Sequence, residues 1–255
     1  MKISVITVCY NSGSTIKDCL RSVASQEGVD FEHVIIDGNS KDGTQDIIRD
    51  FISGGSAATT FISEPDGGIY DAMNKGIRLS KGDVVGFLNA DDLFASKDTL
   101  KRVAERFSSA DVDGCYGDLD LVDQSDLSKT IRHWKSGVMP ASKMLYGWHP
   151  AHPTFYVRRQ FIAGDSGFRT KYKIAADYEL MTRLIMLKNL RLVYLPEILV
   201  KMRVGGASNG SIKNILRANQ QCVAAWRDNG LRLPVFLIPG KLLWKLSQRL
   251  GSAMR

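Results

Sequence analysis

Long apolar runs and paired cysteines are both scarce in this chain of 255 residues. No run approaches the roughly 18 to 20 apolar residues that a membrane-spanning helix requires, so we expect no transmembrane segment. The opening residues, KISVITVCY, lack the charged and apolar regions of a signal peptide and are typical of a strand. The four cysteines are scattered and form no CxxC pair, which favours reduced thiols in the core of a cytoplasmic protein.

Acidic residues are nearly absent from residue 201 onward. This segment contains ten Lys and Arg and one acidic residue, Asp228, so its charge is +9, while the net charge of the whole chain is +7. The first 200 residues therefore carry −2. A local basic segment predicts an anionic surface as partner. Because no helix-turn-helix, zinc finger or aromatic-basic platform accompanies it, we expect a membrane surface and no nucleic acid.

Strand and helix patterns alternate through the first hundred residues. The sequence predicts strands at 2–9, 33–37, 59–63 and 84–89, and helices at 14–26, 44–51, 69–79 and 97–107. Short strands that alternate with helices predict an α/β domain with a parallel sheet and right-handed crossovers. Further on, we expect a helix at 177–188, a strand at 192–195 and a helix at 212–227 that ends near Gly230.

Polar loops follow the four predicted strands. They read YNSG (10–13), DGNSKDGT (37–44), SEPDGG (63–68) and ADD (90–92). In open α/β sheets, ligands bind beyond the carboxyl ends of the strands, so we expect these loops to form one site. The first turn, CYNSGS, contains no GxGxxG, which argues against a Rossmann dinucleotide-binding domain.

Two adjacent carboxylates, Asp91 and Asp92, end the apolar stretch GDVVGFLNADD. A turn explains one aspartate easily, but two like charges this close repel each other unless a cation neutralises them. Mg²⁺ and Mn²⁺ favour carboxylate and phosphate oxygens. The pair therefore indicates a divalent metal beside a phosphate-bearing ligand, with a turn as the structural alternative. Asp37, at another strand end, is placed to accept hydrogen bonds from a ribose or a base edge.

The order of these motifs resembles that of the family 2 glycosyltransferases. The resemblance is carried by ISVITVCYN, IIDGNSKDGT, EPDGGIYDAMNKGI and GDVVGFLNADD, and by a second block of HPTFYVRR (152–159) and AADYELMTRL (175–184). It implies the GT-A fold, an αβα sandwich with a mostly parallel central sheet. It also implies an inverting, metal-dependent enzyme of bacterial surface-polysaccharide biosynthesis. Such an enzyme uses Mn²⁺ or Mg²⁺, a nucleotide-sugar donor and a glycan acceptor, often lipid-linked.

The same resemblance implies a division of the chain. Residues 1–210 would form the catalytic domain, with a nucleotide-sugar-binding half at 1–110 and an acceptor half at 111–210. Residues 211–255 would form a basic helical tail.

Carried over position by position, the resemblance implies the residues that bind the donor. Tyr10 and Asn11 would line the base pocket, Asp37 would contact base or ribose, and Asp66 would contact the nucleotide. Asp91 and Asp92 match the metal-and-diphosphate motif, with Asp92 as the direct ligand.

The second block implies the acceptor side. Asp177 matches the position of the base that activates the acceptor, and a helix N-cap is its structural alternative. His152 is a candidate for diphosphate or acceptor contact, against the commoner role of a buried structural histidine. Arg203 is a similar candidate, and it precedes a Gly-rich segment that would close over the site.

Two other functions share some of these features. A sugar-nucleotide nucleotidyltransferase has a similar architecture and metal aspartates, but its N-terminal Gly-rich pyrophosphate loop and Arg/Lys signature are missing here. A non-catalytic nucleotide-sugar binder would keep the fold. The joint presence of Asp37, Asp91, Asp92 and Asp177 argues against that alternative.

The last 25 residues, 231–255, contain a predicted amphipathic helix that starts near Lys241. One stripe carries Lys241, Lys245 and Arg249, and the opposite side carries Leu242, Leu243, Leu246 and Leu250. This pattern is typical of an interfacial membrane helix, with packing on the catalytic domain as the alternative. We therefore expect peripheral binding to the inner face of the plasma membrane.

Overall fold

The computed structural model describes residues 1–55, 58–138, 140–205 and 212–243. Its strands are β1 (Lys2–Cys9), β2 (Asp30–Asp37), β3 (Thr59–Ser63), β4 (Val84–Phe87), β5 (Leu93–Phe94), β6 (Gly114–Val122), β7 (Thr130–Trp134), β8 (Tyr156–Arg158) and β9 (Leu192–Arg203). Its helices are α1 (Ile16–Ala24), α2 (Thr44–Ser53), α3 (Ile69–Leu79), α4 (Thr99–Arg106), α5 (Ala176–Thr182) and α6 (Ile212–Asp228). A π-helical turn, Arg183–Leu187, continues α5, and residues 237–243 are also helical.

The first four strands, β1 to β4, are parallel as predicted. β1 lies between β2 and β4, and β3 extends the sheet beyond β2. The register pairs Cys9 with Asp37 and Asp37 with Ser63, so three strands end at the same level. The turns that follow them therefore meet at one edge of the sheet, where the sequence predicts the site.

The second half continues the same sheet with mixed strand directions. β8 is antiparallel to both β4 and β6, and β9 is parallel to β6 and antiparallel to β5. The order is β3-β2-β1-β4-β8-β6-β9-β5, with β7 paired to β6. One sheet therefore links the residues before and after residue 110.

β9 is much longer than the predicted strand at 192–195. It runs from Leu192 to Arg203, and its pairing shifts register where Tyr116 matches Tyr194 but Asp118 matches Ile198. Pro196 lies within this shift. Proline has no N–H to donate and is tolerated at a bulge, so it interrupts the sequence pattern without ending the strand.

Helix α6 belongs to the core, although the sequence places it in a tail. Cys222 and Ala225 are fully buried, and Trp226 is nearly so and donates from Nε1 to Tyr178 Oη at 2.8 Å. The helix ends as predicted, with Gly230 in the left-handed region at φ 67° and Leu231 N donating to Trp226 O at 2.9 Å. Gly is favoured there because it lacks a Cβ.

The four cysteines are free and buried, as expected of core thiols. Within the described residues, no helix combines the length and apolarity that crossing a membrane demands.

Lys241 does not lie on an outward basic stripe. Its Nζ donates to Cys222 Sγ at 3.2 Å and lies 5.5 Å from the centre of the Tyr178 ring. This part of the prediction is wrong, because the aromatic face and the thiol bind the ammonium group against the domain. The rest of the predicted helix, residues 244–255, lies outside the described residues.

Candidate active site

The loops after β1 and β2 are hydrogen-bonded to each other. Asn11 N donates to Ser40 Oγ at 2.8 Å, and Lys41 N donates to Asn11 Oδ1 at 2.9 Å. Gly13 N donates to Asp42 Oδ2 at 2.8 Å. Asn11 thus fixes the two loops together, while the neighbouring Tyr10 side chain is 65% exposed.

Asp37 lies behind this surface and not on it. The residue is fully buried, and its carboxylate accepts hydrogen bonds from Ser63 Oγ at 2.7 Å and from the N–H and hydroxyl of Ser40. Cys9 Sγ adds a longer contact of 3.5 Å. With its acceptor oxygens occupied, Asp37 orders the loop that follows β2, and its predicted contact with base or ribose stays a prediction.

Tyr10 and Asp66 meet around Gly38. A Cβ at Gly38 would lie 2.7 Å from Asp66 Oδ2 and 3.2 Å from the Tyr10 ring, so a larger residue would collide with both. Asp66 also accepts a hydrogen bond from Gly68 N at 2.8 Å. The structure brings together two of the predicted donor-binding residues, and Gly38, which the sequence did not single out, lies between them.

Lys75 holds the EPDGG loop in place. Its Nζ lies 2.8 Å from Glu64 Oε1 and donates to Pro65 O at 2.8 Å. The lysine reaches this loop from the second turn of α3, so the motif EPDGGIYDAMNKG encodes both the loop and its support.

Asp92 is buried and incompletely hydrogen-bonded. It is 1% exposed, and Asn89 Nδ2 donates to its Oδ2 at 3.0 Å. Its Oδ1 has no hydrogen-bond partner among the described residues. Burial, followed by the charge of Asp91, raises the pKa of Asp92 well above its usual range. Asp91 is partly exposed on the same loop.

Arg203 holds the loop that carries Asp91 and Asp92. It is 6% exposed, its Nη1 donates to the carbonyl oxygen of Asp91 at 2.6 Å, and its Nη2 donates to Asp18 Oδ2 at 2.7 Å. These two hydrogen bonds give Arg203 a positioning role, and its predicted contact with diphosphate or acceptor stays a prediction. Of the Gly-rich segment that follows it, residues 206–210 lie outside the described residues.

The residues at this loop fit a metal that is shared with a ligand. No group of three or more His, Cys, Asp or Glu side chains in the described ranges could hold an ion by itself. Asp91 and Asp92 supply two carboxylates, one with an unpaired buried oxygen. Mg²⁺ and Mn²⁺ are commonly held by one or two carboxylates together with phosphate oxygens, so this donor set is sufficient once a diphosphate is present.

Asp177 is the second residue of α5 and not its N-cap, which is Ala175. Its Oδ1 accepts a hydrogen bond from Tyr178 N at 2.8 Å. Tyr70 Oη donates to Ile174 O at 2.8 Å and lies 3.3 Å from Asp177 Oδ1. The carboxylate is partly exposed at the positive end of the helix. Burial and the charge of Asp177 both raise the pKa of Tyr70, which keeps this hydroxyl protonated as a donor. The Tyr70 hydroxyl thus links α3 to the start of α5.

His152 packs against the end of β4 and lies within electrostatic reach of Asp177. Its ring stacks on Phe87, the last residue of β4, with 5.3 Å between centroids. Burial lowers its pKa, the charge of Asp177 opposes that effect, and Nε2 has no hydrogen-bond partner among the described residues. His152 is thus a neutral imidazole with an unpaired nitrogen beside the site.

Asn74 fixes the aromatic residues beneath the site. Its side-chain amide exchanges two hydrogen bonds of 2.8 Å with the backbone N and O of Phe168. The Phe168 ring packs against Tyr70, Phe87 and His152. Sequence reasoning did not identify this role, although an Asn in the middle of α3 is a usable signal because Asn is disfavoured in helix interiors.

Glu179 anchors the helix that carries Asp177. It is fully buried, and its Oε1 lies 3.0 Å from Arg183 Nε, 3.2 Å from Arg169 Nη1 and 3.0 Å from Asn229 Nδ2. Arg183 also donates to the carbonyl oxygens of Ser166 and Gly167. One buried carboxylate therefore joins α5 to the loop before it and to the segment after α6.

We expect Glu179→Gln to lower the free energy of unfolding by about 3 kcal/mol, because it leaves the buried guanidinium group of Arg183 without its counter-charge. Urea unfolding followed by circular dichroism measures the change. The matched control is Asp46→Asn, which removes an exposed pair with Arg49 and should cost less than about 1 kcal/mol. Equal losses for the two variants would contradict an anchoring role.

Comparison with known proteins agrees with this geometry. The family model described as "Glycosyl transferase family 2" matches residues 4–173. A Mycobacterium tuberculosis protein named PGL/p-HBAD biosynthesis glycosyltransferase is 31% identical over 181 residues, which cover 71% of this chain and 68% of that protein. An uncharacterized glycosyltransferase of Nostoc sp. is 36% identical over 131 residues, 51% of this chain and 40% of that protein.

Two solved structures have a similar fold. Staphylococcus aureus TarS 1–349 in complex with UDP has a TM-score of 0.65 and 22% identity, covering 91% of this chain and 67% of that one. The mannosyltransferase PcManGT of Pyrobaculum calidifontis, in complex with GDP-Man and Mn²⁺, has a TM-score of 0.67 and 19% identity, covering 99% and 72%. At these identities the likeness concerns the fold, and it confirms the fold class predicted from the sequence.

Proposed function

The chain belongs to glycosyl transferase family 2 and is a glycosyltransferase of the GT-A fold, and from this premise we propose that it transfers a sugar, with inversion, from a nucleotide-diphosphate donor to a glycan acceptor. The observation that carries the proposal is the position of the partly exposed Asp177 carboxylate, whose Oδ1 lies 3.3 Å from Tyr70 Oη. Tyr70 belongs to the first turn of α3, which begins directly after the EPDGG loop, so it links the start of α5 to that loop.

The donor nucleotide would bind at the surface of Tyr10, Gly38 and Asp66. The exposed Tyr10 ring offers a face on which a flat base can stack, and Asp66 lies beside it at Gly38. Asn11 and Asp37 would contribute by holding the two loops in position. The known complexes of TarS with UDP and UDP-GlcNAc, and of PcManGT with GDP-Man, support a nucleotide-sugar as donor.

Asp91 and Asp92 would hold Mn²⁺ or Mg²⁺ together with the donor diphosphate, with Asp92 as the direct ligand. When bound, the cation would neutralise charge on the leaving diphosphate. The unpaired Oδ1 of Asp92 and the raised pKa of this buried carboxyl support the assignment, because a cation satisfies the oxygen and favours the charged form.

Asp177 would act as the general base. The acceptor hydroxyl oxygen attacks the anomeric carbon, its proton moves to the Asp177 carboxylate, and the bond from the anomeric carbon to the diphosphate oxygen breaks. Tyr70 Oη lies 3.3 Å from Oδ1 of this carboxylate. His152, neutral and with Nε2 unpaired, would hydrogen-bond either the acceptor or the diphosphate.

A thermal-shift screen of nucleoside diphosphates tests the donor site. A ligand that binds only the folded state must raise its stability, so one diphosphate with Mn²⁺ should raise Tm by about 5 °C or more at 100 times its Kd. The matching nucleoside monophosphate is the control, since it lacks the second phosphate. Release of free sugar from the corresponding nucleotide-sugar then tests enzymatic activity. No shift with any nucleotide would contradict the proposal.

The acceptor would be lipid-linked, as part of bacterial surface-polysaccharide biosynthesis, and the enzyme would work in the cytoplasm at the inner face of the plasma membrane. The basic segment from Lys201 onward supports an anionic surface as partner. Lys245 and Arg249, two cations of the predicted membrane helix, lie outside the described residues.

A further inference from the structure

Six large apolar side chains are exposed on two segments that pack together beside α5. They are Val138, Tyr146, Val235, Phe236, Leu242 and Leu243, here called the docking surface, and each is more than half exposed. Val235, at 84%, and Val138, at 74%, are nearly free of protein contact. Contiguous exposed apolar groups of this size mark interaction sites more often than ordinary surface.

The two segments, residues 138 and 140–147 and residues 235–243, pack directly against each other. The Tyr146 and Phe236 rings stack with 6.1 Å between centroids. The backbones touch through two glycines: a Cβ at Gly147 would lie 2.3 Å from Leu237 O, and a Cβ at Gly240 would lie 2.3 Å from Tyr146 O. Because the contact leaves no room for side chains, the exposed residues are held in a fixed relative arrangement.

The helical part of the second segment has distinct inner and outer sides. Leu237 is 2% exposed and belongs to the core, and Lys241 binds Cys222 and Tyr178. Leu242 and Leu243 face outward. The domain therefore already covers one side of this helix, and the outward side is the one open to a partner.

The charge around the docking surface has a single sign. The two segments of the surface contain Lys143 and Lys241 but no Asp or Glu, and Arg232 lies three residues before the second segment. Lys143 and Arg232 are exposed. Apolar side chains that project among cations fit the boundary between the headgroups and acyl chains of an anionic bilayer. We propose that the docking surface inserts into the headgroup region of an anionic membrane.

The docking surface adjoins the proposed catalytic base. Lys241 lies over the ring of Tyr178, the residue after Asp177, and His149 packs edge-on against the same ring at 5.4 Å. His149 follows Gly147 by two residues, so the second segment and the residues just after the first both reach Tyr178. If the protein transfers sugar as proposed above, on which this step rests, the bilayer holds the acceptor lipid at the Asp177 side of the site.

Vesicle co-sedimentation of the full chain tests the surface. The vesicles are phosphatidylcholine alone, or phosphatidylcholine mixed with phosphatidylglycerol, at low and high salt. We expect binding to the anionic vesicles at low salt, and about a tenfold lower bound fraction for the double variant Val235→Glu/Phe236→Glu. The matched control, Leu187→Glu/Ile198→Glu, changes two exposed apolar residues outside the surface and should bind like the native chain.

Other outcomes are equally definite. A native chain that stays in the supernatant, or a double variant that binds like the native chain at an unchanged Tm, overturns the proposal. A native dimer by light scattering that dissociates in the double variant would assign the surface to a second copy of the chain instead. Sugar release from a soluble nucleotide-sugar should be the same in native and variant, because it needs no membrane. If sugar release is absent while vesicle binding is present, the proposed function fails and the docking surface stands.

Discussion

Asp177→Asn should lower the rate of sugar transfer by about 10²- to 10⁴-fold, the usual loss when a general base is removed. Asparagine has the same size, and its Oδ1 can still accept the hydrogen bond from Tyr178 N. It cannot take a proton from the acceptor. We therefore expect the loss in kcat, with little change in donor affinity or in Tm.

Steady-state kinetics with saturating donor measures this effect, and nucleotide titration measures donor affinity separately. Asp165→Asn is the matched control, because it makes the same chemical change at an exposed residue of the preceding loop. Normal turnover by Asp177→Asn would show that the carboxylate only stabilises the start of α5. A loss of donor affinity equal to the loss of rate would assign Asp177 to binding.

Asp92→Asn should abolish transfer while the protein stays folded. In the metal-free protein, the substitution removes a buried carboxylate that Asp91 repels, so Tm in EDTA should stay the same or rise. Nucleoside diphosphate with Mn²⁺ should then raise Tm in the native protein and not in the variant. EDTA should also silence the native enzyme, and Mn²⁺ or Mg²⁺ should restore it.

Asp91→Asn distinguishes the two carboxylates. If Asp92 is the direct ligand, Asp91→Asn should weaken the Mn²⁺-dependent stabilisation less than Asp92→Asn does. The reverse order would make the partly exposed Asp91 the ligand and the buried Asp92 its support. Full activity of the native enzyme in chelator would overturn metal dependence altogether.

The strands and helices of the first half could be predicted because the sequence patterns that define them are local. Each strand ends in a polar loop within a few residues, and β3 and α3 have the predicted bounds of 59–63 and 69–79. Parallel strands in level register then bring Tyr10 and Asp66 to one edge, although they are 56 positions apart in the chain.

The side-chain contacts that the sequence did not predict are made with residues far away in the chain. An aspartate at the end of a strand gives the same sequence pattern whether its carboxylate faces a ligand or its own loop. The carboxylate of Asp37 accepts a hydrogen bond from Ser63, which lies 26 residues further along the chain. Arg203 reaches Asp91 across 112 residues. No local periodicity encodes such a contact, so the sequence alone does not predict that Arg203 supports this loop.

The three residues of β8 limit how this enzyme can be recombined with its relatives. β8 pairs with β4 on one side and with β6 on the other, and the Tyr156 ring occupies the space beside Gly86, where a Cβ would come within 2.2 Å of it. A chimera joined near residue 110 would separate Gly86 from Tyr156. A chimera that takes its second half from a relative with a large side chain at position 156 therefore needs glycine at position 86 of its first half. The alternative is a graft that replaces β4 and β8 together.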